Sequence, residues 1–240
     1  MNQILVTEKL YITPELRRKR KLYKLQFILS IFLVCILFSC YIYAEYDRNK
    51  SEEVSKEILS GIIEKNQEDT TIKKTDNIIV VALEEENEEI EETPIVLEPE
   101  TVDYTSQSGI NYKVESVVNI PRLGINYVVI AETSEELLKI SVNKYWGPSP
   151  NEVGNYCIVG HNYKNKKMFG RLSEIVNGDI IELEDMNKNT VKYSVYDKYV
   201  VDPTDTRCTS QLTNGAREVT LITCTNYGSQ RLVVKAREVK

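Results

Sequence analysis

Residues 220–234 read TLITCTNYGSQRLVV, in which two apolar, β-branched runs flank a short polar stretch. This pattern predicts a β-hairpin with a two-residue turn at Tyr227-Gly228. Such a turn pairs Cys224 with Arg231, and directly opposed residues share a face with Cβ atoms about 4.5–5.5 Å apart. A register shifted by one residue would instead place them on opposite faces. The simplest hairpin therefore sets a thiol beside a guanidinium.

A cation beside a thiol favours the thiolate, which is the nucleophilic form of cysteine. A thiol nucleophile also needs a proton partner, and His161 is the single histidine of the chain. It ends the run NYCIVGH and precedes a polar loop, where functional side chains are common. We therefore hypothesise that Cys224, Arg231 and His161 act together. The alternative is a buried cysteine, a surface arginine and a solvent-facing histidine.

The N-terminal part predicts a membrane anchor. A basic tail, residues 1–24, precedes the apolar stretch LQFILSIFLVCILFSCYIYA at 25–44. About 20 residues at ~1.5 Å each span the ~30 Å core of a bilayer. The length and the lack of an A-x-A-like site disfavour a cleaved signal peptide. The positive-inside rule places residues 1–24 in the cytoplasm and the chain from residue 45 onward outside.

Residues 45–105 are predicted to form an extracellular acidic stalk or linker, because EEENEEIEE at 84–92 is a block of like charge. Val54, Ile58 and Ile62 recur at helical spacing near its start and indicate a short helix. The net charge of −6 and the pI near 5.2 give no reason to expect nucleic-acid binding.

Residues 106–240 are predicted to be a mainly β domain, a barrel or a sandwich, with one or two short helices. A capping-box spacing at Thr133 and Glu136 predicts a helix from Ser134. Parallel βαβ units are not expected, because helical segments do not alternate with strands. Seven short apolar, β-branched runs separated by turn residues are the predicted strands: 114–121, 124–131, 155–161, 179–185, 190–201, 217–225 and 231–237.

This domain holds three cysteines, an odd number, so at most one disulfide can form within it. Whether Cys157 and Cys208 pair stays open at this point. Cys157 lies four residues before His161, about 13 Å along a strand at ~3.3 Å per residue, so the two cannot react together. No CxxC or HxxxH spacing supports a metal site. The sequence predicts neither a metal nor a cofactor.

TLITC at 220–224, the arginine that opens the next run, VGH at 159–161 and the N-terminal anchor together resemble the sortases. These are membrane-anchored cysteine transpeptidases of Gram-positive bacteria. The resemblance covers residues 106–240 and includes IPRLGI at 120–125 and VDPTD at 201–205. It implies a closed eight-stranded β-barrel, and it favours a class D-like or other small class.

The resemblance also implies roles for the site residues. Cys224 would be the nucleophile, His161 the general acid and base, and Arg231 the stabiliser of the oxyanion. The implied substrates are surface proteins bearing an LPXTG-like sorting signal. The implied acceptor is an amine of a peptidoglycan precursor or a pilin lysine. The alternative is a catalytically inert, membrane-tethered β-domain that binds wall or peptide partners. An L,D-transpeptidase is disfavoured because an SHGC-type motif is missing.

Overall fold

The computed structural model describes residues 14–72, 101–106 and 109–239 and divides the chain into two units, Met1–Asn49 and Lys50–Lys240. Helix α1, Pro14–Ile72, starts in the first unit. It contains one span long and apolar enough to cross a membrane, with a mean hydropathy of 2.5, and none of that span is buried by protein. The predicted acidic block at 84–92 lies outside the described residues.

The second unit is built on a closed eight-stranded barrel, as expected. The strands are β1 Val102–Thr105, β2 Asn111–Ile120, β3 Ile125–Ile130, β4 Val142–Trp146, β5 Gly154–Gly160, β6 Ile180–Asp185, β7 Thr190–Val201, β8 Arg217–Thr225 and β9 Gln230–Glu238. The barrel order is β2-β3-β4-β5-β8-β9-β7-β6, and β6 pairs with β2 to close it; β1 is added outside, on the first half of β2. Closure leaves these eight strands without an open edge.

The central strands β5 and β8 are covered on both faces. They pair in parallel, and their near-continuous apolar runs are typical of strands that are buried on both sides. Ile158 and Leu221 belong to the main core, whereas Ile222 packs outward with Val233 and Cys208. Two covered faces keep these strands rigid, and the candidate site lies at their C-terminal ends.

A buried ion pair links two strands of the barrel. The fully buried Glu115 of β2 accepts a 2.8 Å hydrogen bond from the Lys144 ammonium of β4. Burial raises the pKa of Glu115, while the Lys144 charge opposes that rise. The second carboxylate oxygen is buried and has no hydrogen-bond partner among the described residues. Lys144 therefore supplies the main compensation for a carboxylate removed from water.

Within the second unit, α1 packs against the sheet. Ile58 and Ile62 are buried in a cluster with side chains of β2 and β3, and Val54 packs at its margin. The stripe predicted from spacing thus has an apolar partner surface. Gly61 lies so close to Tyr104 of β1 that an added Cβ would overlap the ring. Residues 54–62 are therefore part of the packed unit. The domain boundary at residue 106 remains a prediction.

All seven predicted strands are present, and two further strands were missed. β4 was overlooked because VNKYW has little alternation and follows directly on helix α2, Glu135–Ile140. The expectation of no parallel βαβ unit was wrong, since β3, α2 and β4 form one. Ser134, not Thr133, caps α2: its hydroxyl accepts from the Leu137 N–H at 3.1 Å. The Thr133 hydroxyl instead donates to the Lys144 carbonyl.

Candidate active site

The strand register brings the three predicted site residues onto one line. The parallel ladder between β5 and β8 ends at the pair Gly160 and Thr223, so the next positions on the two chains are His161 and Cys224. In the antiparallel ladder, Cys224 pairs directly with Arg231 of β9. Paired residues of neighbouring strands project to the same side of a sheet. Cys224 and Arg231 are therefore paired on adjacent strands, and His161 lies one residue beyond the last β5–β8 pair, at the end of the strand on the other side of β8.

The hairpin register agrees with the sequence prediction. The Ser229 N–H donates to the Asn226 carbonyl at 3.2 Å, which encloses Tyr227 and Gly228. Both have positive φ, 57° and 90°, as the tight turn of a β-hairpin requires. Arg231 Nη1 donates to the Gly228 carbonyl at 2.9 Å. The turn thus sets the register and also orients the guanidinium.

His161 is half-buried at the end of β5. Burial lowers its pKa, and the nearby ammonium of Lys139 on α2 lowers it further. Both effects disfavour the imidazolium and favour the neutral ring. Its ring centroid lies 5.0 Å from that of Tyr163, and its carbonyl accepts the Phe169 N–H at 3.0 Å. A neutral imidazole can accept a proton, as a general base must.

The three cysteines of the second unit differ in how far their side chains are exposed to solvent. Cys224 is partly exposed, whereas Cys157 and Cys208 are buried. Burial raises the pKa of Cys157 to about 12 and also raises the pKa of Cys208. All five cysteines lie in the described part of the chain, and each is free. Only Cys224 therefore combines access with a neighbouring histidine and arginine.

The family model described as "Sortase domain" matches residues 118–239, about half of the chain. The chain belongs to the sortase family. It is a cysteine transpeptidase, and both site strands β5 and β8 lie inside the matched region. Since the family is that of enzymes, the alternative of a catalytically inert β-domain is not supported.

Individual sortases show the same likeness. Sortase A of Bacillus anthracis is 27% identical over 173 residues, which covers 68% of this chain and 79% of the relative. The structure of sortase A from Corynebacterium diphtheriae matches with a TM-score of 0.50 and 27% identity over 54% of this chain and 62% of its own. The class D-like assignment stays a prediction.

A groove of about 270 Å³ has Arg231 in its lining and is otherwise lined mainly by apolar groups. Its floor comes from β5 and β8, one wall from α2 and β4, and the other from the connection between β7 and β8. Asp205 belongs to that second wall, where it pairs with Arg207 and not with His161. The lining residues are Thr133, Leu138, Tyr145, Val159, Val201, Pro203, Asp205, Thr206, Cys208, Thr209, Ile222 and Arg231.

Sequence reasoning missed several residues of this site. Lys139 lowers the pKa of His161, but in the sequence it is simply one charged residue of a predicted helix. Tyr145 lines the groove because β4 pairs with β5, and β4 was not predicted, whereas Leu138 lies on the predicted helix α2. Asn162 follows His161 directly and donates a hydrogen bond to the Cys224 carbonyl. Its position could have drawn attention, but its partner depends on the parallel pairing of β5 with β8.

Proposed function

We propose that this sortase cleaves an LPXTG-like sorting signal through a thioacyl-enzyme intermediate and transfers the protein to an amine. The observation that carries this proposal is the placement of His161, Cys224 and Arg231 at the ends of three neighbouring strands, beside an apolar groove that Arg231 helps to line. An extended peptide in that groove would present a backbone carbonyl to Cys224. The acceptor would be an amine of a peptidoglycan precursor or a pilin lysine.

In the first step, Cys224 attacks the scissile carbonyl carbon while His161 accepts the thiol proton. Arg231 stabilises the negative charge that develops on the carbonyl oxygen. Its two hydrogen bonds, to the carbonyls of Gly228 and Gln230, both use Nη1, and a guanidinium has five N–H donors. The C–N bond then breaks, the imidazolium protonates the leaving amine, and a thioester remains on Cys224.

In the second step, the incoming amine attacks the thioester carbon and loses its proton to His161. The C–S bond breaks, and the thiolate recovers the proton from the imidazolium. The half-buried position of His161 supports both roles, because a neutral ring accepts a proton at each attack. No metal or cofactor is needed to balance either step.

We place residues 1–24 in the cytoplasm, residues 25–44 across the membrane, and residues 45–240, which include the acidic segment and the catalytic domain, outside the cell. The apolar, unburied span of α1 and the basic residues before it support this orientation. Protease treatment of intact protoplasts tests it. The barrel is expected to be digested from outside, and its protection would reverse the orientation.

Peptide turnover by the full chain in detergent micelles tests the function. Wild type is expected to cleave an LPXTG-type peptide in hydroxylamine, with a thioacyl adduct on Cys224 visible by mass spectrometry. Cys224→Ala, His161→Ala and Arg231→Ala are each expected to lose most turnover while keeping the same circular dichroism spectrum. Cys35→Ala, which removes a thiol from α1, is the matched control. Equal behaviour of wild type and Cys224→Ala across sorting-signal peptides would refute the proposal.

A further inference from the structure

Two side-chain hydrogen bonds join the chain around His161 to the chain around Cys224. One lies just before these two residues along the strands, and the other lies just after them. Just before them, the buried Thr223 hydroxyl donates to the Gly160 carbonyl at 2.7 Å. Just after His161, Asn162 Nδ2 donates to the Cys224 carbonyl at 2.8 Å. Each bond therefore uses an immediate neighbour of one of the two reacting residues.

The bond from Asn162 to the Cys224 carbonyl lies beyond the end of the ladder between β5 and β8. The last β5–β8 pair is Gly160 with Thr223, so no ladder pair joins the chains at His161 and Cys224. Cys224 is still held by its pairing with Arg231 on the other side. Without a cross-strand bond beyond the ladder, nothing would tie this end of β5 to β8, and His161 would keep only the bond from the Phe169 N–H to its carbonyl, which lies within its own loop.

The backbone of Asn162 is itself fixed. It forms an isolated β-bridge with Met168 across the loop, and the Met168 N–H donates to the Tyr127 hydroxyl at 3.0 Å. Because the backbone is anchored in this way, the exposed amide side chain starts from a fixed point. A hydrogen bond from such a point holds two strand ends in register.

We propose that Asn162 is a positioning residue that fixes the separation of His161 and Cys224. The inference rests on the proposed roles of these two residues. Proton transfer requires the two groups to approach within about 2.6–3.2 Å, and a displacement of about 1 Å can cost ~100-fold in rate. Asn162 touches neither substrate nor reacting atom; it acts through the Cys224 carbonyl.

The test compares Asn162→Leu with Asn165→Leu in the full chain in micelles. Leucine has a similar size to asparagine but no donor, and Asn165 lies in the same loop without a bond to β8: its oxygen accepts from the Lys167 N–H at 3.3 Å. For Asn162→Leu we expect kcat on the sorting-signal peptide to fall at least tenfold while KM stays within twofold. Asn165→Leu is expected to match wild type. Asn162→Gln keeps a donor and should retain more kcat than Asn162→Leu.

A second readout needs no peptide. The rate of Cys224 alkylation by iodoacetamide, followed on its tryptic fragment, is measured against pH. In wild type the profile should show a step where His161 titrates, because the imidazolium stabilises the adjacent thiolate. In Asn162→Leu that step should shrink, while the melting temperature stays close to that of wild type.

Three results would overturn the inference: a kcat for Asn162→Leu within twofold of wild type, an equal loss in Asn165→Leu, or an alkylation profile that the substitution leaves unchanged. Failure of the proposed function is a different result. In that case wild type would not turn over any sorting peptide, and the alkylation profiles would still show whether Asn162 couples the two residues.

Discussion

Replacing Ile58 with alanine is expected to release α1 from the barrel without unfolding the barrel. Ile58 has no exposed surface and lies in the cluster that joins residues 54–62 to β2 and β3. Truncating a buried isoleucine to alanine costs about 2–5 kcal/mol, with the lower figure where the structure can collapse around the gap. A helix segment on the protein surface can shift into the gap, so we expect about 2 kcal/mol.

Hydrogen–deuterium exchange of the amides in 51–62 measures this release in the full chain. A loss of about 2 kcal/mol shifts the docking equilibrium ~30-fold toward the open state, since ~1.4 kcal/mol corresponds to a factor of ten. The exchange rates should rise by that factor, because so short a helical segment is marginal once it loses its packing. Ile63→Ala is the matched control, as Ile63 lies on the same helix and is 48% exposed.

Gly61→Ala tests the same docking with a substitution that favours the isolated helix. In a free helix, alanine is about 1 kcal/mol more favourable than glycine. In the docked helix the new methyl group would overlap the Tyr104 ring, so exchange should become faster. Slower exchange in Gly61→Ala, or equal rates in Ile58→Ala and Ile63→Ala, would refute the docking.

Three further predictions concern the barrel and the site. Lys144→Met should lower the free energy of unfolding by about 3–5 kcal/mol at pH 8, because it leaves the buried Glu115 carboxylate unpaired. The loss, read from thermal melts, should be smaller at pH 5, since loss of the ammonium raises the pKa of Glu115 further and protonation removes the buried charge. Lys139→Gln should raise the pKa of His161 and move the acidic limb of the kcat/KM profile to higher pH. Gly160→Ala should destabilise the barrel by about 1–3 kcal/mol in the same melts, because the added Cβ would lie 2.8 Å from a buried phenylalanine ring.

Controls separate these effects from general damage. The double variant Glu115→Gln/Lys144→Met should recover much of the stability, because no unpaired charge remains. A loss in Lys144→Met that does not depend on pH would contradict the assignment. For the profile of kcat/KM, Glu136→Gln changes a charge elsewhere on α2 and should leave the acidic limb in place. A melting temperature of Gly160→Ala equal to that of wild type would show that the site has room for a methyl group.

Sequence patterns predicted the part of the site whose residues are close together in the chain. The pairing of Cys224 with Arg231 follows from a turn four residues long, and turn residues carry strong signals. The neighbouring position of His161 comes from a parallel pairing between strands more than sixty residues apart. Nothing in either run specifies that partner, so the histidine was joined to the cysteine by its being the single histidine of the chain and by the family resemblance, not by the strand pattern.

The same limit applies to α1 and to β4. The spacing of Val54, Ile58 and Ile62 indicated a helix with one apolar face, but a spacing does not identify the surface that the face covers. β4 has two buried residues at its start and two exposed ones at its end, so it shows neither alternation nor a continuous apolar run. Its place is determined by the barrel, which pairs it with β3 and β5.

The origin of the groove walls has a consequence for how such enzymes diversify. The reacting groups are carried by the ends of β5, β8 and β9, which the closed barrel holds from both sides. The walls are carried by α2, by β4 and by the segment between β7 and β8; this last segment adds no strand to the barrel and is attached to it through hydrogen bonds with Asn155 of β5. Substitutions in the walls can therefore alter which peptides are accepted and leave the chemistry intact. Exchange of residues 202–216 between relatives should transfer peptide preference as a separable module.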